Sequence, residues 1–235
     1  MTTTLITGAN KGLGRETARA LIAQGHRVLV GARDAERGTT AARELGAEFI
    51  QLDVTSDDSV TAAAARVAEL GGLDVLVNNA GVEERQPDGG FIALPDLDAA
   101  TAAHTFETNV LGLIRTTRAF LPLLERSAAG VIVNVGSALG SLELATEVGS
   151  PVAQYPGIAY PASKAAVTMI TVRLAAAYPQ LRINVVEPGF TSTDLNHHQG
   201  TQTVEEGAEI IVRMATVAPD GPTGTYTSLN GPLPW

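Results

Sequence analysis

Short apolar strands and longer amphipathic stretches alternate along this chain from end to end. TTLIT runs through GANKGLG into RETARALIAQ, HRVLVGA into AERGTTAARELG, and AEFIQLD into SDDSVTAAAARVAELG. LDVLVNNAG then leads, by a loop from Val82 to about Asp96, into a helical stretch ending near Arg126. GVIVNVGS, YPASKAAVTMITVRLAAAY, LRINVVEPG, VEEGAEIIVRMATV and a last strand in TGTYTS complete the order. Strands that are apolar throughout suit burial on both faces of a parallel sheet. Parallel neighbours need right-handed crossovers, which lay helices on both faces. The expected fold is therefore α/β, a doubly wound parallel sheet of Rossmann type forming a single domain over residues 1–235. Ligands of such sheets sit outside the carboxyl ends of the strands, where strand order reverses. Most of the unusual residues in this chain follow strand ends.

Composition narrows the class. A chain of 235 residues that is 45% hydrophobic and 17% charged can bury a large core. A net charge of −9 argues against general nucleic-acid binding, which needs clustered cations. The absence of cysteine removes disulfides, thiol nucleophiles and thiolate metal sites. MTTTLITGAN has neither a basic leader region nor a long apolar run, and no stretch reaches the ~20 apolar residues of a membrane span. The expectation is a soluble, cytoplasmic protein without membrane or metal.

Residues 7–14 read TGANKGLG, with Gly8, Gly12 and Gly14 between a strand and a helix. Glycines there permit a tight turn and close approach of backbone amides to a pyrophosphate at the helix N-terminus. A plain glycine-rich turn gives the same spacing. The end of the second strand reads Gly31-Ala32-Arg33, with no acidic group for a ribose hydroxyl. Arg33 and Lys11 suit a 2′-phosphate instead. Asp34 is read as a helix N-cap.

Tyr160 and Lys164, in AYPASKAAV, lie four residues apart and share a helix face. They are either a surface pair or an acid–base device. A lysine ammonium ~4 Å away at an effective dielectric of 20 favours a phenolate by about 4 kcal/mol. That is about three pKa units, enough to bring a tyrosine towards neutrality. Pro161 suits a first helical position, which would put Tyr160 at the helix start. Ser137, at a strand end, can hold a substrate oxygen beside Tyr160. His197-His198 and the Glu83-Glu84-Arg85 run read as solvated loops.

With these motifs in order, the chain resembles the short-chain dehydrogenase/reductase family, in its carbonyl-reductase-like branch. The resemblance covers nearly the whole chain. It implies that Gly8, Asn10, Lys11, Gly12, Leu13 and Gly14 form the cofactor loop, with Arg33 at the ribose and Asp53 and Val54 at the adenine. It further implies that Asn79, Ala80 and Gly81 line the cofactor, and that Pro188, Gly189, Phe190, Thr191 and Thr193 hold the nicotinamide end. Asn109, Ser137, Tyr160 and Lys164 match the catalytic set, Tyr160 and Lys164 touching the cofactor as well. Asn109 would hold a water in a proton relay to Lys164. The implied activity is interconversion of a small-molecule carbonyl and its alcohol with NADP(H). Two competing classes remain: a non-catalytic dinucleotide sensor on the same fold, and an epimerase or dehydratase. The second lacks room for its C-terminal substrate domain.

Ser137 and Tyr160 are 23 positions apart, wider than in compact members of the family. The extra segment, about 141–158, contains Gly149, Pro151, Pro156 and Gly157, which oppose a continuous helix. It is expected to pack as an ordered loop, to cover its apolar Leu142, Leu144, Val148, Val152 and Tyr155, and to wall the substrate pocket. Leu139, Leu142, Tyr155 and Phe190 suggest an apolar ligand. Because the segment precedes the helix that packs between subunits in related tetramers, a monomer or homodimer is favoured.

Overall fold

The computed structural model describes residues 1–235. Eight strands form one sheet in the order β3-β2-β1-β4-β5-β6-β7-β8. These are β1 (Thr3–Thr7), β2 (Arg27–Ala32), β3 (Glu48–Gln51), β4 (Val75–Asn78), β5 (Val131–Val135), β6 (Arg182–Val186), β7 (Tyr226–Ser228) and β8 (Gly231–Pro232). All pairings are parallel except β7 with β8, a two-residue antiparallel edge that the sequence did not announce. Strand order reverses between β1 and β4, each of which starts a crossover to the opposite side.

Adjacent residues of each strand feed opposite cores, as period-2 geometry requires. Ile6, Val30, Val77 and Val133 pack with Leu21 of α1 (Gly12–Ala23), Ala41 and Ala42 of α2 (Ala35–Leu45), and further apolar residues on that face. Leu5, Leu29, Leu76 and Ile132 pack on the other face with Val60 and Val67 of α3 (Asp57–Glu69). Asp34 caps α2, its side chain accepting the Arg37 amide at 2.9 Å, and Gly46 closes that helix in the left-handed conformation.

The helical stretch expected up to Arg126 is three pieces: α4 (Ala99–Phe106), a π-helical turn over Glu107–Leu111, and α5 (Gly112–Leu124). Such turns widen a helix by one residue and re-aim its side chains. A short α6 (Leu142–Thr146) lies in the extra segment. α7 (Ala159–Ala177) starts two residues before Pro161, so Tyr160 sits inside the first turn. Proline is tolerated there because first-turn amides have no intrahelical acceptor. α8 (Val204–Ala215) opens on a capping box of Thr203 and Glu206.

A buried polar ladder ties the sheet to α5 and α7. The Asn78 amide donates to Thr117 at 3.0 Å and to Asn134 at 2.9 Å, and the Asn134 amide donates to Thr171 at 2.9 Å. Asn134 and Thr171 are fully buried. Asn134→Leu should therefore orphan one Asn78 donor and cost about 1–3 kcal/mol. The urea midpoint should fall at unchanged m value. An unshifted midpoint would show that the ladder contributes nothing.

Candidate active site

Where the backbone pairing of β1 and β4 stops, side chains continue it. The Thr7 hydroxyl accepts the Asn79 amide at 3.0 Å and the Ala80 amide at 2.9 Å. The Asn79 side chain donates back to the Thr7 carbonyl at 2.8 Å and the Gly8 carbonyl at 3.3 Å. A Cβ on Gly14 would lie 2.5 Å from that Asn79 nitrogen, so only glycine fits. Gly8 takes a positive φ of 66°, and a Cβ there would come within 3.1 Å of Ala80. Asn79 thus supports the glycine loop.

Lys11, at the N-cap of α1, makes a 2.7 Å ion pair with Asp194. Asp194 also meets His198 at 3.0 Å, and the Lys11 ammonium holds its carboxyl below the usual range. Lys11 therefore spans the gap between the glycine loop and the segment after β6, whereas Arg33 is exposed and makes no ion pair. The two cations differ in that Lys11 is paired and Arg33 is not. Asp53 begins a turn, its carboxylate accepting the Thr55 amide at 3.0 Å. Beyond β6, Gly189 has φ 86°, and the Gln202 side chain bonds the Pro188 carbonyl and the Thr191 hydroxyl. Thr191 is buried, Phe190 exposed. Gln202 and Asp194 are structural members of this loop that sequence reasoning missed, since short polar residues in a loop carry no periodic signal.

Ser137 follows β5 and caps a 3-10 turn, and Tyr226 of β7 donates its hydroxyl to the Ser137 carbonyl. Gly140 lets that turn press on α7: a Cβ there would sit 2.7 Å from the Lys164 carbonyl carbon. Lys164 is 5% exposed, which rules out a surface pair. Its Nζ donates to the Val135 carbonyl at 2.8 Å and lies 5.4 Å from the Tyr160 ring centre. Burial brings the ammonium down to about 8, against a smaller upward pull from Glu83.

One expectation about this cluster needs correction. Tyr160 is pushed above the ordinary tyrosine range, not below it: burial dominates, Glu83 adds to it, and the Ser137 hydroxyl opposes. Lys164 commits one of its protons to the Val135 carbonyl. Asn109 lies in the π-helical turn, and its side chain is engaged locally. Its Oδ1 accepts the Val82 amide at 2.8 Å, and its Nδ2 donates to the Val82 carbonyl at 2.9 Å and the Ser163 hydroxyl at 3.0 Å. It fixes the loop after Gly81 to α7.

Within that loop, Glu83 and Arg85 are withdrawn from solvent, contrary to the solvated reading, while Pro87, Asp88 and residues 93–96 are exposed. Glu83 and Arg85 are side-chain pairs 2.9 Å apart with 6% and 4% exposure. Glu83 also accepts the Tyr155 hydroxyl. Tyr155, Gly157 and Ile158 of the extra segment line a cleft of about 310 Å³ with Phe91, Leu97 and Tyr160. The segment is ordered and forms one wall, yet its Leu142 and Val148 are 71% and 100% exposed and cover nothing. Glu143 and Glu147 are exposed, as are His197 and His198.

A profile of the family described as short chain dehydrogenase matches residues 2–204. Short-chain dehydrogenase/reductase 1 of Saponaria officinalis is 34% identical, over 98% of this chain and 95% of the relative. The (+)-neomenthol dehydrogenase of Capsicum annuum is 30% identical over 94% of each. Among solved structures, an NADPH-bound carbonyl reductase from chicken fatty liver superposes with a TM-score of 0.84 at 25% identity, over 100% of this chain and 99% of that one. The parallel sheet and its strand order agree with these matches, and the chain belongs to the short-chain dehydrogenase/reductase family of oxidoreductases.

Proposed function

We propose that the protein interconverts a carbonyl and an alcohol with NADP(H), Tyr160 giving or taking the proton. The observation that carries this reading is the convergence of Ser137, Tyr160 and a buried Lys164 at the strand ends beside the glycine loop. The chain fits a dinucleotide. Close-packed Gly8 and Gly14 open α1 with bare backbone, where helix N-terminal amides favour phosphate. Gly81 adds a second bare wall: a Cβ there would meet Asn109 at 3.3 Å and Lys164 at 3.7 Å. Asn10, Lys11, Gly12 and Leu13 complete the loop. Asp53 and Val54 would receive the adenine, Asn79, Ala80 and Gly81 the adjoining ribose, and Pro188 to Thr193 the nicotinamide end. The exposed, unpaired Arg33 would read the 2′-phosphate. The NADPH described in the chicken enzyme agrees with that charge pattern.

When bound, the nicotinamide supplies or accepts the hydride. The remaining work falls to side chains. Ser137 holds the substrate oxygen, which removes orientational cost. Tyr160 keeps its proton at neutral pH because burial raises its pKa, so it enters reduction as a donor. The phenolate left behind gains from the Lys164 ammonium one turn along α7. Asn109 positions α7 through Ser163.

Two tests follow from these roles. Tyr160→Phe should keep fold and dinucleotide affinity and lower turnover at least ~100-fold, the low end for acid–base catalysis. It is measured by NADPH absorbance loss with a panel of aldehydes, ketones and quinones. Near-normal turnover would remove Tyr160 from the chemistry, and tight binding with no turnover in the parent protein would favour a sensor. Arg33→Ala should weaken NADPH by about 1.5–3 kcal/mol, the worth of a charge-assisted contact, and leave NADH nearly unchanged. Equal losses for the two dinucleotides in titration calorimetry would show that Arg33 does not read the phosphate.

A further inference from the structure

Four side chains meet beside Tyr160 from two segments far apart in sequence. Glu83, Arg85 and Phe91 belong to the loop after β4; Tyr155 belongs to the segment between Ser137 and Tyr160. Arg85 Nη2 donates to both Glu83 oxygens, at 2.9 and 3.1 Å. The Arg85 guanidinium lies 4.2 Å from the Phe91 ring centre. The Phe91 and Tyr155 rings meet edge to face at 4.8 Å. Tyr155 closes the circuit by donating its hydroxyl to Glu83. Its ring also lies against Gly157, where a Cβ would come within 2.5 Å of the ring carbon Cε1.

Burying a carboxylate and a guanidinium is costly unless their polar atoms are satisfied. Here three hydrogen bonds converge on Glu83, and the third comes from the extra segment. Burial and Glu83 both push the Tyr155 hydroxyl well above the ordinary tyrosine range, so it remains a donor at any working pH. Phe91 and Tyr155 also line the 310 Å³ cleft that Tyr160 faces.

We propose that Tyr155 is a specificity-determining residue and Glu83, clamped by Arg85, its positioning residue. The Glu83–Tyr155 bond holds the extra segment closed on the loop after β4 and limits the cleft to carbonyl compounds with a compact apolar body. Phe91 and Tyr155 supply the aromatic wall, and Gly157 passes the position of Tyr155 to the start of α7, three residues before Tyr160. The specificity role rests on the oxidoreductase reading above; the latch itself does not.

The test has two arms. In the first, hydrogen exchange of the protein without dinucleotide follows the Gln154 and Tyr155 amides, which donate to Ser150 and Val152 carbonyls. Tyr155→Phe removes one hydroxyl and leaves the ion pair whole. Losing a hydrogen bond to a charged acceptor should lower protection roughly tenfold or more. In the second, NADPH-dependent kcat/KM is compared for cyclohexanone and 2-decalone, and the variant should shift preference towards the fused-ring ketone by roughly tenfold. The double variant Glu83→Leu/Arg85→Met, which leaves no lone buried charge and no acceptor for the Tyr155 hydroxyl, should move both readings the same way. Protection within twofold of the parent in both variants overturns the latch. Lower protection with an unchanged ketone ratio overturns the specificity role. Consumption of no carbonyl at all by the parent protein removes the oxidoreductase reading and the specificity role together, while exchange still decides the latch.

Discussion

The hydrogen bonds between Thr7 and Asn79 organise everything else at the strand ends. β1 and β4 are neighbours whose chains leave in opposite directions, and their backbone register runs only from Thr4–Val75 to Ile6–Val77. Past that point one hydroxyl accepts two amides, and one carboxamide returns two hydrogen bonds. The glycine loop is drawn so close to Asn79 that Gly14 can carry no side chain. The same turn carries Ala80 and Gly81 into the space beside Lys164. The proposed dinucleotide surface and proton-transfer pair thus share one brace, because a doubly wound sheet has one place where its crossovers part.

Burial then sets the electrostatics. Desolvation favours neutral forms: it keeps the Tyr160 proton on and loosens the proton of Lys164. A pair described from sequence as phenolate and ammonium is, in this environment, biased towards phenol and a lysine titrating near 8. The two descriptions are linked. In the proposed reaction, a phenolate left on Tyr160 would raise the proton affinity of Lys164, and the pair would titrate as a unit. Glu83 strengthens the first tendency and opposes the second, since its charge favours the protonated form of each group.

The fold was legible because apolar strand runs and helix periodicity are local properties. So were the glycine loop, the Asp34 cap and the Tyr160–Lys164 spacing. What the sequence did not disclose arises from contacts between distant segments. Glu83 and Arg85 sit in a polar run that resembles any solvated loop; Tyr155, whose hydroxyl bonds Glu83, comes from a segment far along the chain. Lys11 looked free because its partner Asp194 lies far along the chain in another loop. The π-helical turn at Asn109 could not be read, since ETNVL has no breaker and its extra residue is set by packing on Val82 and Ser163. The direction of the Tyr160 shift failed for a related reason: a Coulomb estimate from spacing carries no desolvation.

Chemistry and specificity therefore rest on different kinds of structure. Ser137, Tyr160 and Lys164 stand at the end of β5 and on the first turns of α7, where ladder hydrogen bonds and two cores fix them. The cleft wall stands on loops whose ordering costs conformational entropy at every residue. That cost is offset at few points. Glu83 holds Tyr155 near one end of the extra segment, and near the other the Trp235 carbonyl accepts the Glu143 amide at 3.0 Å while the Ser141 hydroxyl lies 3.4 Å from it. Between these anchors Val148 is fully exposed and carries no packing load. A segment tied at its ends and free in its middle can change length and composition without moving the proton-transfer pair. Only its last anchor, where Tyr155 meets Glu83, lies at the cleft that Tyr160 lines.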